Sequence, residues 1–255
     1  MASLRVLVTG GGAGIGKATV RAFLEAGHAV HLCDSDAATV ESARAELPGA
    51  TASQSDVTRE EEVDALFAAA VDSLGGLDVL VNCVGVSGPA GPIEDLSLDD
   101  WRSCLSANLD SAFLCSRKAA PALKAQGSGL IVNLSSTAGQ FGYPNRSPYA
   151  TAKWGVIGLT KTLAMELGPF GVRVNAICPG PVAGPRMDRV IAMEAAATGR
   201  DEAEVREGYA AMTSLRCFVE PEDIAQSILF LASPGGSRIS GQALAVDGHT
   251  ERLVT

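Results

Sequence analysis

A tyrosine and a lysine four residues apart, with a serine thirteen residues before the tyrosine, are the residues of this sequence best suited to chemistry. They are Tyr149, Lys153 and Ser136. The stretch 147–168 is long and apolar enough to form a helix, on which Tyr149 and Lys153 share one face. A lysine ammonium beside a phenol stabilises the phenolate and lowers the tyrosine pKa from its usual value of about 10. The pattern predicts that Tyr149 donates and accepts a proton while the Ser136 hydroxyl binds the oxygen whose proton moves.

The amino-terminal segment supplies the context that this pattern needs, because the same spacing also occurs on ordinary helix faces. An apolar run at 4–9 is followed by a glycine-rich turn and then by a helical pattern. Such glycines let the backbone approach a pyrophosphate, and the free N–H groups of the helix N-terminus face the anion. The segment predicts a dinucleotide site formed by Gly10, Gly14, Ile15 and Gly16.

An acidic residue at the end of the second apolar run indicates which dinucleotide is bound. Asp34 ends the run 29–34, eighteen residues after Gly16. This is close to the spacing expected for a carboxylate that binds the adenosine ribose. The alternative is that Asp34 caps the next helix, since Ser35 and Asp36 begin it. We favour the ribose contact, which predicts NAD as the cofactor because the 2′-phosphate of NADP would sit against this charge.

Five motifs in order resemble those of the short-chain dehydrogenase/reductase family along nearly the whole chain. Residues 9–16 read T-G-G-G-A-G-I-G, which is similar to the family's T-G-x-x-x-G-x-G. Asn108 stands where the family has a helix asparagine that acts with Ser136, Tyr149 and Lys153. The other three motifs are similar to its adenine-contacting D-V pair, its N-N-A-G and its P-G after the sixth strand: Asp56-Val57, Asn82-Cys-Val-Gly85 and Pro179-Gly180.

The resemblance implies a Rossmann-type fold and an NAD-dependent oxidoreductase that interconverts a secondary alcohol and a ketone by hydride transfer. It makes Tyr149 the general base in oxidation and the general acid in reduction, with Asn108 supporting a proton-relay water. It also places Tyr149 and Lys153 at the cofactor, where Lys153 contacts the nicotinamide ribose and Val182 offers its backbone N–H to the carboxamide. The remaining cofactor-binding residues that it implies are Asp56, Val57, Asn82, Gly85, Pro179 and Gly180.

Three motifs depart from the family's pattern. Cys83 and Val84 replace the second Asn and the Ala of N-N-A-G, and Gly184 replaces a threonine whose hydroxyl would meet a cofactor phosphate. The third departure is His249, where the family has the last glycine of D-G-G. Family tetramers pack their subunits near this terminus, so His249 is either an interface residue or a residue that borders a pocket.

Strand and helix patterns alternate along the chain, which predicts an α/β doubly wound parallel sheet of about seven strands with helices on both faces. We expect one domain, 1–255, in which the segment 184–218 covers the substrate or, alternatively, forms a solvated excursion. The predicted strands are 4–9, 29–34, 50–53, 78–82, 129–135, 172–177 and 242–246, and the predicted helices are 14–26, 36–46, 59–73, 98–125, 147–168 and 221–232.

Composition excludes several kinds of partner. The chain has 255 residues, of which 47% are hydrophobic, and a formal net charge of −9. An acidic protein of this kind is not expected to bind nucleic acid or an anionic membrane. The first residues already read as a strand, which predicts no signal peptide. No apolar run approaches the length of about eighteen residues that a transmembrane helix needs, so none is predicted.

The six cysteines carry no metal or disulfide signature. They include no C-x-x-C pair, and no histidines cluster with them. We interpret them as buried thiols in a reducing compartment, which predicts a cytoplasmic location and no metal site.

The substrate is the least determined part of the prediction. We expect a small polar or cyclic secondary alcohol, and Arg186 either contacts an anionic substrate or is a solvated cation. An NADPH-linked 3-oxoacyl carrier-protein reductase is an alternative, against which Asp34 argues. A non-catalytic dinucleotide-binding sensor is another, against which the complete set of four catalytic residues argues. The candidate pocket walls are Ser87, Gln140, Phe141, Tyr143, Asn145, Arg186 and Met187.

The family resemblance also implies a homotetramer. The family associates through its long fourth and fifth helices, which correspond to 98–125 and 147–168, and through its C-terminal region. Small apolar residues in these helices would allow close contact between subunits, unless they pack within one chain. They are Ala107, Ala112, Ala119, Ala120, Ala152 and Ala164.

Overall fold

The computed structural model describes residues 3–250, in which one parallel sheet is covered by helices on both faces. Its strands lie in the order β3-β2-β1-β4-β5-β6-β7, and every neighbouring pair runs parallel. This confirms the predicted α/β doubly wound sheet. The strands are β1 (Arg5–Thr9), β2 (Ala29–Asp34), β3 (Ala50–Gln54), β4 (Val79–Asn82), β5 (Gly129–Leu134), β6 (Val172–Pro179) and β7 (Ala243–Val246).

The helices connect these strands in the alternating order that the sequence predicts. Their ends, like those of the strands, lie within two residues of the predicted ends, except in 98–125 and 184–218. The helices of the described range are α1 (Gly14–Glu25), α2 (Ala37–Glu46), α3 (Glu60–Leu74), α4 (Leu98–Leu105), α5 (Ser111–Gln126), α6 (Ser147–Leu167), α7 (Pro185–Thr198), α8 (Glu202–Ala211) and α9 (Pro221–Ala232).

Side chains of each strand alternate between two apolar cores, one on each face of the sheet. On β1, Val6 and Val8 pack in the core that contains Phe23 of α1 and Ile224 of α9. Leu7, between them, packs in the opposite core, against residues of α3 and α5. All five of these side chains are fully buried. Burial on both faces explains why the strands appear in the sequence as nearly continuous apolar runs.

The order of the strands fixes where a ligand would bind. The chain builds β1, β2 and β3 towards one edge and then returns to place β4 on the other side of β1. Ligands of such sheets bind at the carboxyl ends of the strands, in the crevice at this change of direction. The turn after β1 and the loop after β4 therefore meet where the sequence predicts the dinucleotide.

The prediction of one α-helix over 98–125 is wrong, because a π-helical turn, Ser106–Asp110, separates α4 from α5. Asn108 lies in this turn and is 1% exposed. Its Nδ2 donates to the carbonyl oxygens of Cys104, at 2.9 Å, and Val86, at 3.0 Å. These bonds tie the widened turn to the loop after β4. Such π turns are frequent at functional sites, and the apolar periodicity of the sequence does not reveal them.

The segment 184–218 forms two helices, α7 and α8, with a small apolar core of their own. Ile191, Val205 and Tyr209 are buried in this core. The backbones of Val182 and Val219 pair at its base, so the excursion leaves and rejoins the sheet domain at one point. The role of the segment as a cover for the substrate stays a prediction.

The cysteines are buried or half-buried except for Cys217, which is exposed. The prediction of buried thiols is therefore wrong for Cys217, which lies in the irregular stretch between α8 and α9 and faces no core. Burial raises the pKa of Cys83 and of Cys115 to about 12, so neither thiol is reactive near neutral pH. The cytoplasmic location stays a prediction.

Residues 3–250 contain neither a membrane-spanning helix nor a metal-binding group of side chains. No helix there combines the length and the apolar character needed to span a bilayer. No group of His, Cys, Asp and Glu side chains in the same range is arranged to hold a metal ion.

Candidate active site

The glycine-rich turn between β1 and α1 leaves an open, donor-rich surface. Gly10 and Gly14 have φ angles of +62° and +49°, which favour glycine. A Cβ atom on Gly16 would lie 2.0 Å from the Gly10 carbonyl oxygen, so Gly16 allows α1 to approach the strand. Ala13 precedes α1 and gives its first turn no side-chain cap. Backbone N–H groups with space before them are what a cofactor pyrophosphate requires, and Ile15 lies in the same first turn.

Hydrogen bonds hold this turn against its two neighbouring strands. The N–H of Gly11 donates to the carbonyl oxygen of Cys33 at 2.9 Å. The N–H of Cys83 donates to the Thr9 hydroxyl at 3.1 Å, which joins the loop after β4 to the end of β1. The glycine-rich turn, β2 and the loop after β4 are therefore fixed to one another.

Asp34 lies beside the glycine-rich turn and does not cap α2. The cap is Asp36, whose carboxylate accepts from the N–H of Thr39 at 2.8 Å. A Cβ atom on Gly12 would lie 3.1 Å from Asp34 Oδ2. Asp34 Oδ1 accepts from the N–H of Asp36 at 3.3 Å, and Oδ2 has no hydrogen-bond donor in the part of the chain that is described. A free carboxylate oxygen next to the turn fits the predicted contact with the ribose.

The D-V pair lies in the turn after β3. Asp56 Oδ1 accepts from the N–H and the hydroxyl of Thr58, at 3.0 and 2.8 Å, so part of this carboxylate stabilises the turn. Val57 is 2% exposed and packs in the core beneath. The contact of this pair with adenine stays a prediction.

Asn82 lies in the interior of the sheet, and its side chain has other partners than the expected cofactor. Its Nδ2 donates to Asn133 Oδ1 at 2.8 Å and to the Ser116 hydroxyl at 3.1 Å. Asn133 in turn donates to the Thr160 hydroxyl at 2.9 Å. The amide therefore joins β4, β5, α5 and α6 in one polar network. The amide nitrogen is thus occupied, while Asn82 Oδ1 is buried and has no hydrogen-bond partner among residues 3–250. A cofactor contact from Asn82 stays a prediction.

The P-G pair ends β6 at the same edge of the sheet. The N–H of Gly180, after Pro179, donates to the carbonyl oxygen of Val246 at 3.1 Å. A Cβ atom on Gly180 would lie 2.8 Å from the backbone of Asp247, so only glycine fits without a shift. This close contact directs the chain to Val182, whose N–H is the predicted contact of the carboxamide.

Ser136, Tyr149 and Lys153 come together at this edge from two elements. Lys153 Nζ is 5.6 Å from the centre of the Tyr149 ring, as the helical spacing predicts. Lys153 is 4% exposed, and its Nζ donates to the Leu134 carbonyl oxygen at 2.9 Å. The neighbouring Ser135 hydroxyl donates to the Lys153 carbonyl oxygen at 2.8 Å and is thus used to hold α6. That leaves Ser136 as the serine beside Tyr149.

Asn108 and Lys153 face the same small space beside Gly85. A Cβ atom on Gly85 would lie 2.7 Å from Asn108 Oδ1 and 3.2 Å from Lys153 Nζ. Asn108 Oδ1 is buried and has no hydrogen-bond partner among residues 3–250. A buried acceptor with no partner needs water or a ligand, which fits the predicted water between Asn108 and Lys153.

The charges around the phenol favour its deprotonated form. Burial by itself would raise the pKa of Tyr149, but the positive charges of Lys153 and Arg186 and the neighbouring Ser136 hydroxyl outweigh it. The pKa of Tyr149 therefore lies below its ordinary value. Burial also lowers the pKa of Lys153, and Arg186 adds to this effect while Tyr149 opposes it. Tyr149 is thus the group of this site most suited to move a proton near neutral pH.

The loop before α6 and the helix α8 contribute residues that the sequence analysis missed. Arg146 lies with its Cζ 5.7 Å from the centre of the Tyr149 ring. In the sequence, only its position three residues before Tyr149 could have indicated that Arg146 lies at this site. The Tyr209 hydroxyl lies 3.3 Å from that of Tyr143 and donates to Glu194 at 2.7 Å, so the segment 184–218 is bonded to a predicted pocket wall.

Two other predicted positions have contacts outside this pocket. The Gln140 side chain lies 3.4 Å from the Ala243 carbonyl oxygen, at β7. His249 Nδ1 lies 3.0 Å from the Ser214 hydroxyl. The Ser214 N–H donates to the His249 carbonyl oxygen at 2.9 Å. His249 therefore holds the end of the described chain against the segment that follows α8.

Comparisons with known proteins agree with this geometry. A family model described as "Enoyl-(Acyl carrier protein) reductase" matches residues 10–249. Trans-4-hydroxycyclohexanecarboxylate dehydrogenase of Sinomonas cyclohexanicum is 42% identical over 193 residues, which cover 76% of this chain and 68% of that protein.

Two solved structures are similar over nearly the whole chain. NAD⁺-bound xylitol dehydrogenase has a TM-score of 0.92 at 31% identity, covering 95% of this chain and 97% of that one. A variant of actinorhodin polyketide ketoreductase with NADPH has a TM-score of 0.93 at 32% identity, covering 96% of both chains. The chain belongs to the short-chain dehydrogenase/reductase family, as its motifs predicted. It is accordingly an oxidoreductase with a fold that binds a nicotinamide dinucleotide.

Proposed function

We propose that the protein is an NAD-dependent oxidoreductase that interconverts a secondary alcohol and a ketone. The observation that carries the proposal is the meeting of Ser136, Tyr149 and Lys153 at the sheet edge that also holds the glycine-rich turn. The relative named for trans-4-hydroxycyclohexanecarboxylate supports a small cyclic alcohol as the substrate.

Each residue of this group has one task in the proposed reaction. In oxidation the Tyr149 phenolate accepts the proton of the substrate hydroxyl, whose oxygen is held by Ser136. Lys153 stabilises the phenolate, and Asn108 Oδ1 binds the water that carries the proton onward. In reduction the proton moves in the opposite direction. Nicotinamide dinucleotide, when bound, supplies the hydride acceptor or donor.

The open turn and the close backbone contacts fit this cofactor. Asp34 beside the turn favours NAD over NADP. The residues that would hold it, with Tyr149 and Lys153, are Gly10, Gly14, Ile15, Gly16, Asp34, Asp56, Val57, Asn82, Gly85, Pro179, Gly180 and Val182.

A biosynthetic ketoreductase is the second candidate. The similarity to a polyketide ketoreductase solved with NADPH favours it. Asp34 and the net charge of −9 disfavour it, because NADPH carries an extra phosphate and carrier proteins are acidic. A screen of secondary alcohols and ketones with NAD and NADP tests both candidates together. Oxidation of alcohols with NAD would support the proposed NAD-dependent oxidoreductase. Exclusive reduction of acyl carrier-protein substrates with NADPH would contradict that proposal and support the ketoreductase.

The rate of oxidation should rise with pH. The pKa of Tyr149 lies below its ordinary value of about 10, and the deprotonated phenol is the base. Oxidation should therefore increase through an apparent pKa below 10, and reduction should decrease through it. The value belongs to the coupled Tyr149–Lys153 pair. Arg186→Gln removes a positive charge and should move the midpoint upwards. Profiles of kcat against pH for both proteins check this, and an unmoved or lowered midpoint would contradict it.

The protein should form a homo-oligomer, which we propose to be a tetramer. Ala112, Ala119 and Ala152 are buried within the chain itself, so the alternative interpretation holds for these three alanines. Larger apolar side chains on the outer faces of α5 and α6 are exposed instead: Phe113, Trp154 and Met165. We propose that the subunit interface covers these side chains, because burial of large exposed apolar side chains favours association.

Charge placed on this surface should separate the subunits. We expect the parent to have a mass in solution that is a multiple of 26.1 kDa. Met165→Glu should lower it, since Met165 is 80% exposed and an interface would bury the new carboxylate. Val71→Glu, an exposed apolar position on α3, is the matched control. Light scattering after gel filtration gives the masses, and a monomeric parent at micromolar concentration would refute the proposal.

A further inference from the structure

Arg146 reaches over the catalytic tyrosine from the end of the loop before α6. Its Cζ lies 5.6 Å from the centre of the Tyr143 ring and 5.7 Å from that of Tyr149. Its Nη2 donates to the Ser87 carbonyl oxygen at 2.8 Å. Its Nε is buried and has no hydrogen-bond partner in the described range. One donor of this guanidinium is thus fixed, and others remain for a ligand.

Arg186 donates to the same loop. It lies at the start of α7, and its Nη1 donates to the Gly85 carbonyl oxygen at 3.2 Å. Gly85 and Ser87 belong to one loop, so the two guanidinium groups are bonded to carbonyl groups two residues apart. Arg186 is otherwise exposed, and its charge acts on Tyr149 and Lys153.

Neither arginine has an acidic partner in the described part of the chain. Within residues 3–250 eight ion pairs form, and none includes Arg146 or Arg186. Glu194, whose charge acts on the neighbouring Tyr143, already accepts from the Tyr209 hydroxyl at 2.7 Å and lies 3.9 Å from Arg200. With Lys153, three cations surround the phenol in a chain of net charge −9.

We propose that Arg146 and Arg186 together bind an anionic group of the substrate, so that the protein acts on secondary alcohols that carry a carboxylate. The inference rests on the proposed function for the reacting hydroxyl, which lies at Tyr149 and Ser136. The free donors of the two planar guanidinium groups suit the oxygen atoms of a carboxylate. A substrate that covers the exposed Arg186 would exclude water from the arginine–carboxylate contact and strengthen the attraction between the two charges.

A contact between Arg186 and the cofactor is the main competing explanation. Gly184 replaces the threonine that would meet a phosphate, and Arg186 lies two residues further on. In that case Arg186 would strengthen the binding of NADH and would be indifferent to the charge of the substrate. Substitution of Arg186 should therefore change the affinity for NADH if Arg186 contacts the cofactor, and the affinity for the anionic substrate if it contacts the substrate.

The binding test uses cyclohexanecarboxylate and cyclohexanecarboxamide, which share a shape and differ in charge. Calorimetric titration of the NADH complex should show that the parent binds the carboxylate at least about tenfold more tightly. Arg146→Gln and Arg186→Gln should each lower the ratio of the two affinities about tenfold. Arg146→Lys and Arg186→Lys, which keep the charge, should lower it less. Arg189→Gln, an exposed arginine three residues after Arg186 on α7, should leave it unchanged.

Each other result would overturn the inference. It fails if the parent does not distinguish the two compounds, or if neither binds. It fails also if Arg186→Gln weakens the binding of NADH while the preference for the carboxylate stays. Turnover of trans-4-hydroxycyclohexanecarboxylate, its carboxamide and unsubstituted cyclohexanol separates the two proposals. Equal oxidation of all three compounds would support the proposed function and contradict the anion site. Tight binding of the carboxylate without oxidation of any alcohol would support the anion site and contradict the proposed function.

Discussion

NADP should support oxidation at least about a hundredfold less efficiently than NAD, because its 2′-phosphate would sit against Asp34. Two like charges about 4 Å apart repel by roughly 4 kcal/mol at an effective dielectric constant of about 20, before salt screening. About 1.4 kcal/mol corresponds to a tenfold change.

Substitutions of Asp34 isolate this effect. Asp34→Ala should relax the preference, and Asp34→Asn should do so while keeping the size of the side chain. The ratio of kcat/KM for the two cofactors, measured with the same alcohol in all three proteins, is the readout. Equal efficiency with NAD and NADP in the parent would show that the carboxylate does not select the cofactor.

The catalytic group should respond to substitution with losses of at least about a hundredfold in turnover. General acid–base catalysis contributes typically about 10²–10⁴-fold, and Tyr149→Phe removes the hydroxyl while keeping the ring. Ser136→Ala removes the group that holds the substrate oxygen and should cause a loss of similar size. Steady-state kcat measured with the alcohol found by the screen gives both losses. An unchanged kcat in Ser136→Ala would remove Ser136 from the mechanism.

Lys153→Ala should differ from these two variants. Lys153 is proposed to stabilise the phenolate and also to contact the nicotinamide ribose, so both turnover and NADH affinity should fall. The Leu134 carbonyl oxygen, which accepts from Lys153 Nζ at 2.9 Å, would lose its partner as well. Thermal unfolding of the variant should be measured beside its kinetics, because loss of NADH affinity has meaning only in a folded sample.

The sheet could be predicted because its strands are buried on both faces. The runs 79–81 in β4 and 130–132 in β5 are apolar without interruption, and turn residues separate the strands from amphipathic helices. The π turn at Asn108 could not be predicted, because one widened turn leaves the apolar periodicity of a long helix almost unchanged. In the structure the Asn108 amide bonds to Cys104 and to a distant loop, and such long-range contacts are not visible in a sequence pattern.

The candidate site also contains residues that the sequence predicts and residues that only the structure brings together. Tyr149 and Lys153 meet because one helix carries both, and Asp34 reaches the glycine-rich turn because adjacent strands end at the same edge. Arg146 and Arg186 were not expected together, since they lie forty residues apart and meet only through the loop after β4. Asn82 lies where its motif indicates, but only the packed structure shows that its amide nitrogen points into the interior.

The central claim is that Tyr149 moves the proton of a substrate bound beside NAD. Its most direct test is a measurement of turnover and of NADH affinity on one sample of Tyr149→Phe. We expect a loss of at least about a hundredfold in turnover, with NADH bound nearly as tightly as by the parent. Turnover close to that of the parent, with the same NADH affinity, would mean that a group other than Tyr149 handles the proton.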